Sequence, residues 1–364
     1  MADSVVDWGT AVSTGARIAG AGPSLTLDEA RSAVSDLRAC ARDAVGYVAE
    51  HTGLVAPATP GAVTVVDRRG WITANVEGFA AVIDPVLARL RAQRSADGSP
   101  VSSPVSSPVS RVTATMTGVE VGAALGFLGS KVLGQYELFT PPGQRPRLLL
   151  VAPNVVQVER QLDVDPHDFR LWVCLHEETH RVQFSAVEWL GPWLRAEIEG
   201  YLALVDLDPQ ALAQRLRQVG GTVVGALRGL DAIGVLEQLM TPEEREVLDR
   251  LTAVMSLLEG HADVVMDGVG PQVVGSVSTI RERFQQRRTD PSTSEALVRR
   301  LLGVESKLKQ YRDGARFVAA VVDEVGMSGF NQVWTSPETL PSRAELDDPP
   351  AWVRRVVGPR VSSA

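Results

Sequence analysis

His176, Glu177, Glu178, Thr179 and His180 form an HExxH run, the spacing that brings two imidazoles and a carboxylate to one metal ion when the segment is helical. Residues four apart on an α-helix are offset by about 40° and one turn, so both histidines can grip the same ion. Glu177 projects about 100° from His176, beside the coordination position left for water, where a carboxylate can take a proton. The pattern points to Zn²⁺ and to hydrolysis of an amide bond by a metal-activated water, with Glu177 as general base. Only five histidines occur in the chain, and two of them stand here.

A catalytic zinc takes a third protein ligand and keeps one position open. Glu199 follows His180 at a spacing familiar from aminopeptidases of the gluzincin type. Glu259 lies further on, in Leu258-Glu259-Gly260-His261-Ala262-Asp263, where Asp263 stands four residues later on the same helix face. His176, His180 and Glu259 are the preferred ligand set, because Glu259 alone brings a partner: Asp263 can orient a liganding histidine from behind. His261 projects about 200° from Glu259 and reads as structural or as a donor to the transition state. Tyr311 and Arg312 are further candidates to stabilise an oxyanion.

Helices must position these groups, and both are well signalled. Asp165 as N-cap, Pro166 at the first helical position and Asp168 two residues on start the motif helix. Phe169, Val173, His176, His180 and Phe184 then form one inward stripe, which leaves Glu178 and Arg181 for a solvated outer face. Thr241, Pro242 and Glu244 start a second helix, with a stripe of Val247, Leu251, Val254 and Leu258, running to about Asp267-Gly268.

The blocks around these two motifs, from Leu171 to Phe184 and from Met255 to Asp267, resemble the actinobacterial zincin-like metallopeptidase family. Its members are labelled hydrolases or proteins associated with biosynthesis of a deazaflavin coenzyme. The likeness extends through Val132–Tyr136, Leu149–Asn154, Lys309–Arg312, Asn331–Trp334 and Pro337–Leu340-Pro341. It implies a zincin-like fold and a metal-dependent hydrolase or peptidase activity, without naming a substrate.

The 364-residue chain has 45% hydrophobic residues and can bury a substantial core. Its 44 acidic against 36 basic residues give −8, which argues against a nucleic-acid partner. The local basic run Arg281, Arg283, Arg287, Arg288 scatters over a helix surface. Cys40 and Cys174 read as reduced, buried fillers. The N-terminus shows no basic region followed by an apolar one, so no secretory signal is expected. The apolar run from about Val119 to Leu133, interrupted by Glu120 and Lys131, reads as a buried helix too short to span a bilayer. A cytoplasmic location without membrane contact is expected.

Three regions are expected. Residues 1–94 form an N-terminal helical region, with a helix over 27–51, a short strand pair at Val63–Val66 and Trp71–Ala74, and a helix at about 77–94. Residues 95–110 carry a Ser-Pro-Val-Ser repeat expected to be an extended linker, and 111–364 form the metallohydrolase region. A strand at about 147–152 precedes the motif helix; Leu148–Val151 reads equally as an edge segment that could bind a peptide backbone by strand addition or as a buried structural strand. The expected fold is mostly α with a small β-sheet (α+β), zincin-like, its HExxH helix packed against a second ligand-bearing helix. The leading function is a zinc metallopeptidase or amide hydrolase acting on a peptide or small amide. The alternatives are a catalytically silent metal-binding scaffold and a hydrolase of a non-peptide metabolite. An intact Glu177 argues against the scaffold, which has no chemical need of that carboxylate.

Overall fold

The computed structural model describes residues 6–57, 62–96, 108–204, 240–289 and 304–358. The Ser-Pro-Val-Ser repeat therefore falls largely outside the described residues. Among the described residues the protein is mostly helical with one three-stranded sheet, as the patterning predicts. The chain divides into two compact units, Met1–Ala186 with Val265–Gln286, and Val187–Val264 with Arg287–Ala364.

The first unit is built on the sheet. It contains α1 (Trp8–Ala19), α2 (Leu27–Thr52), β1 (Val63–Val66), α3 (Arg68–Ala96), α4 (Pro108–Gly129), β2 (Gly134–Glu137), β3 (Arg147–Val151), α5 (Ala152–Leu162) and α6 (Pro166–Ala186). The strand order is β1-β3-β2, with β1 parallel and β2 antiparallel to β3. Leu148 to Val151 are fully buried, because β3 is the middle strand and both of its faces are covered. Leu150 joins a core made with α2, α5 and α6, while Leu149 and Val151 join one made with α1, α3 and α4. Of the two readings of Leu148–Val151, the buried structural strand is the one found: its hydrogen-bonding groups are already paired on both sides.

Two further expectations fail here. Trp71–Ala74 is not a strand but the start of α3. The Asp67 carboxylate accepts from Gly70 N–H at 2.7 Å, and the Asp67 carbonyl accepts from Trp71 N–H at 3.1 Å, so Asp-Arg-Arg-Gly opens a helix and not a hairpin. The apolar run belongs to α4, which ends at Gly129, and it is only partly buried: Val112, Met116 and Val119 are exposed. By length and composition alone, the 18 residues Val112–Gly129 would reach across a bilayer, contrary to the shorter run read from the sequence.

The opposite face of α4 packs tightly on α1. A Cβ at Gly122 would lie 2.5 Å from the Ala11 carbonyl oxygen and 2.9 Å from Thr14 Cβ. Gly122→Ala should therefore destabilise the protein. Overpacking against backbone costs about 1–3 kcal/mol, and it outweighs the roughly 1 kcal/mol regained in helix propensity. A urea midpoint equal to or above that of the parent would refute the close approach.

The second unit contains α7 (Leu190–Leu204), most of α8 (Pro242–Val269), α10 (Val304–Phe330, broken at Gly326), two 3₁₀ turns, α11 (Arg343–Asp347) and α12 (Pro349–Val356). The chain between, α9 (Val277–Thr289), lies mainly in the first unit. Thr241 and Glu244 form the expected reciprocal cap of α8, with bonds of 2.7 and 3.1 Å. The core of this unit gathers Phe317, Val318, Val321 and Trp352, and the Trp352 indole donates to the Thr339 carbonyl at 2.8 Å.

Candidate metal centre

The motif helix begins as its sequence dictates: Asp165 accepts from Asp168 N–H at 2.9 Å, and α6 runs unbroken to Ala186. The Asp168 carboxylate is turned to Ser276, bonding its N–H and hydroxyl at 2.7 Å each. On the stripe, Phe169 and Val173 are buried and the two histidines half-buried. At its far end Phe184 stacks on Tyr136 of β2, with ring centroids 5.9 Å apart, which aligns β2 along α6.

The histidines are arranged as a ligand pair. Their Nε2 atoms lie 3.1 Å apart and their rings are perpendicular. Two nitrogens bound tetrahedrally at zinc distances would stand about 3.3 Å apart, so only a small opening is needed. The Nδ1 partners set the tautomers. His180 Nδ1 lies 2.9 Å from Gln183 Oε1, an acceptor, and His176 Nδ1 lies 3.1 Å from the Met266 thioether sulfur, also an acceptor. Both partners can accept a proton from Nδ1, the tautomer that turns each Nε2 toward the same point. Without a metal one Nε2–H can donate to the other Nε2; with both protons on Nδ1, the two nitrogens form a donor pair that suits a metal.

Met266 is on α8, and Glu259 precedes it by seven residues, two turns back along the same helix face. Glu259 and the rival Glu199 both belong to the second unit, on α8 and α7, and each is half-buried. Asp263 follows Glu259 by one turn of α8 and is half-buried. His261 is fully buried and packs on Phe330 and Trp334, at 5.1 and 5.5 Å between centroids, a structural placement. The side chains of Tyr311 and Arg312 lie outside the described residues.

Glu177 is buried and packs against the first residue of β2. A Cβ on Gly134 would stand 2.6 Å from the Glu177 carboxyl carbon, so only glycine leaves the carboxylate its place. Among the described residues β2 pairs only with β3, which leaves its other edge unpaired by any strand.

Glu178 and Arg181 do not face solvent, as the helical pattern suggested. Both are 1% exposed and form a two-armed ion pair, with Nε donating to Oε2 at 2.6 Å and Nη2 to Oε1. Burial pushes the Glu178 carboxyl above its ordinary range, and the Arg181 charge pulls it back. Gln183, Met266 and Gly134 were also missed as functional residues. Only Gln183 left a signal, three residues after His180, where a helix brings side chains together.

A family model for zincin-like metallopeptidases matches residues 6–353, and the chain belongs to that family. A solved structure from Chloroflexus aurantiacus, provisionally described as a hydrolase with a novel fold, is 28% identical. It has a TM-score of 0.67 and covers 96% of this chain and 98% of its own. No curated protein matches the sequence. At the level of family, the chain is a zinc hydrolase.

Proposed function

We propose that the protein is a zinc-dependent metallopeptidase or amide hydrolase of gluzincin type, with His176, His180 and Glu259 as ligands and Glu177 as general base. The observation that carries this reading is the pair of histidine Nε2 atoms converging 3.1 Å apart on α6. Zinc held there supplies a Lewis acid and lowers the pKa of water toward about 7. The protein's part is positional. Gln183 and Met266 hold the ring protons on Nδ1, and Asp263 stiffens the ligand set from its neighbouring turn. Glu177 takes the proton of the attacking water and passes it to the leaving amine.

An extended substrate fits the unpaired edge of β2, which begins beside Glu177, and this favours a peptide over a compact metabolite. A cytoplasmic location and a link to deazaflavin coenzyme biosynthesis belong to the same proposal and rest on the sequence alone. The scaffold alternative has the close fit of Gly134 to Glu177 against it, since a silent site gains nothing by sparing room for that carboxylate.

Elemental mass spectrometry of untagged protein tests the ligand set. His180→Ala and Glu259→Ala should each lose about one zinc per chain relative to the parent. If Glu259→Ala keeps its full complement while Glu199→Ala does not, the third ligand is Glu199.

A further inference from the structure

A second group of metal-binding side chains lies at the start of the same helix. Asp36 and Cys40 are one turn apart on α2, and His167 is the second residue of α6. His167 Nδ1 lies 2.9 Å from Asp36 Oδ1 and 3.8 Å from Cys40 Sγ, and the three ligand atoms all fall within 4.8 Å of one another. We propose that Asp36, Cys40 and His167 form a second metal site, which takes zinc or another divalent ion that accepts a thiolate. It is nine residues from His176, about 13 Å along the helix axis, and independent of the hydrolytic site.

The rival reading of Cys, His and Asp together is an activated nucleophile. Such a relay uses both ring nitrogens, one toward the thiol and one toward the carboxylate. Here both partners meet the same Nδ1, which cannot give a proton to one and take a proton from the other. Three donors converging on one point are what an ion needs.

The distances suit one. Tetrahedral zinc would hold sulfur and nitrogen about 3.5 Å apart, and nitrogen and oxygen about 3.3 Å apart. The observed 3.8 and 2.9 Å bracket those values, and the exposed His167 ring can supply the adjustment. Charge balances as well. A Cys40 thiolate and the Asp36 carboxylate together match a divalent ion, the thiol proton passing to solvent on binding. Arg170 stands 3.1 Å from the other Asp36 oxygen, but its own charge is met by Glu159 at 2.6 and 2.9 Å. The thiolate selects zinc over magnesium or calcium, which take oxygen ligands.

Cobalt(II) titration of metal-free protein tests this without any substrate. Thiolate-to-cobalt charge transfer absorbs in the near ultraviolet, and the HExxH site has no sulfur ligand to produce it. The band should rise to about one thiolate-bound cobalt per chain in the parent and equally in His180→Ala. It should vanish in Cys40→Ser, and His167→Ala, whose side chain is exposed and should not disturb folding, should bind at least about tenfold more weakly. Absence of the band at saturating cobalt in folded parent, or its persistence unchanged in His167→Ala, would overturn the site.

Discussion

Glu177→Gln should bind zinc as the parent does yet hydrolyse its substrate about 10²–10⁴-fold more slowly. The amide side chain has the size of the carboxylate, so it fits the space beside Gly134. It cannot accept a proton at neutral pH, so water must attack without a base. The loss should fall on kcat with KM little changed, because the proton moves only as the transition state forms. Metal content and single-substrate kinetics, on the first peptide that a library screen shows to be cleaved, measure both halves. Parent-like turnover in Glu177→Gln would remove the general base from the mechanism, whatever the metal does.

The largest expected loss of stability comes one residue later. Glu178→Ala should destabilise the fold by about 3–5 kcal/mol, because it strands a buried guanidinium. Arginine does not deprotonate to escape that penalty. Among the described residues Nη1 of Arg181 has no hydrogen-bond partner, so no other group is placed to take over from the carboxylate. Joint replacement, Glu178→Leu with Arg181→Met, should recover most of the loss, since an apolar pair of similar volume avoids burying any charge. Guanidinium unfolding of the parent, the single and the double variant decides the matter. A double variant no more stable than Glu178→Ala would show that the pair is not the source of the penalty.

These cases mark where the sequence was readable. The starts of α6 and α8 were written in adjacent residues, Asp165-Pro166 and Thr241-Pro242, because helix caps are local chemistry. The HExxH spacing likewise needed nothing beyond its own helix. What failed depended on distant partners. Glu178 and Arg181 fall on the polar side of the α6 pattern, but α6 is enclosed on most sides, so that face is also interior. Leu148–Val151 reads as a strand from composition, while its central place depends on β1 and β2, which lie far away in the chain. Trp71–Ala74 was misread because Asp67 and Gly70 suit both a hairpin turn and a helix start, and the Asp67 side chain decided for the helix. Met266 became a ring partner of His176 only when α8 folded against α6.

The fit of Gly134 against Glu177 bears on how relatives of this protein should be sorted. A homologue with an intact HExxH but a larger residue at that position would keep the signature that motif searches recognise while displacing its base. Such a protein would still chelate metal, and it would be counted as a peptidase although it had become a pseudoenzyme. Among family members, the residue opening the second strand should therefore be read together with the histidines when retained turnover is judged.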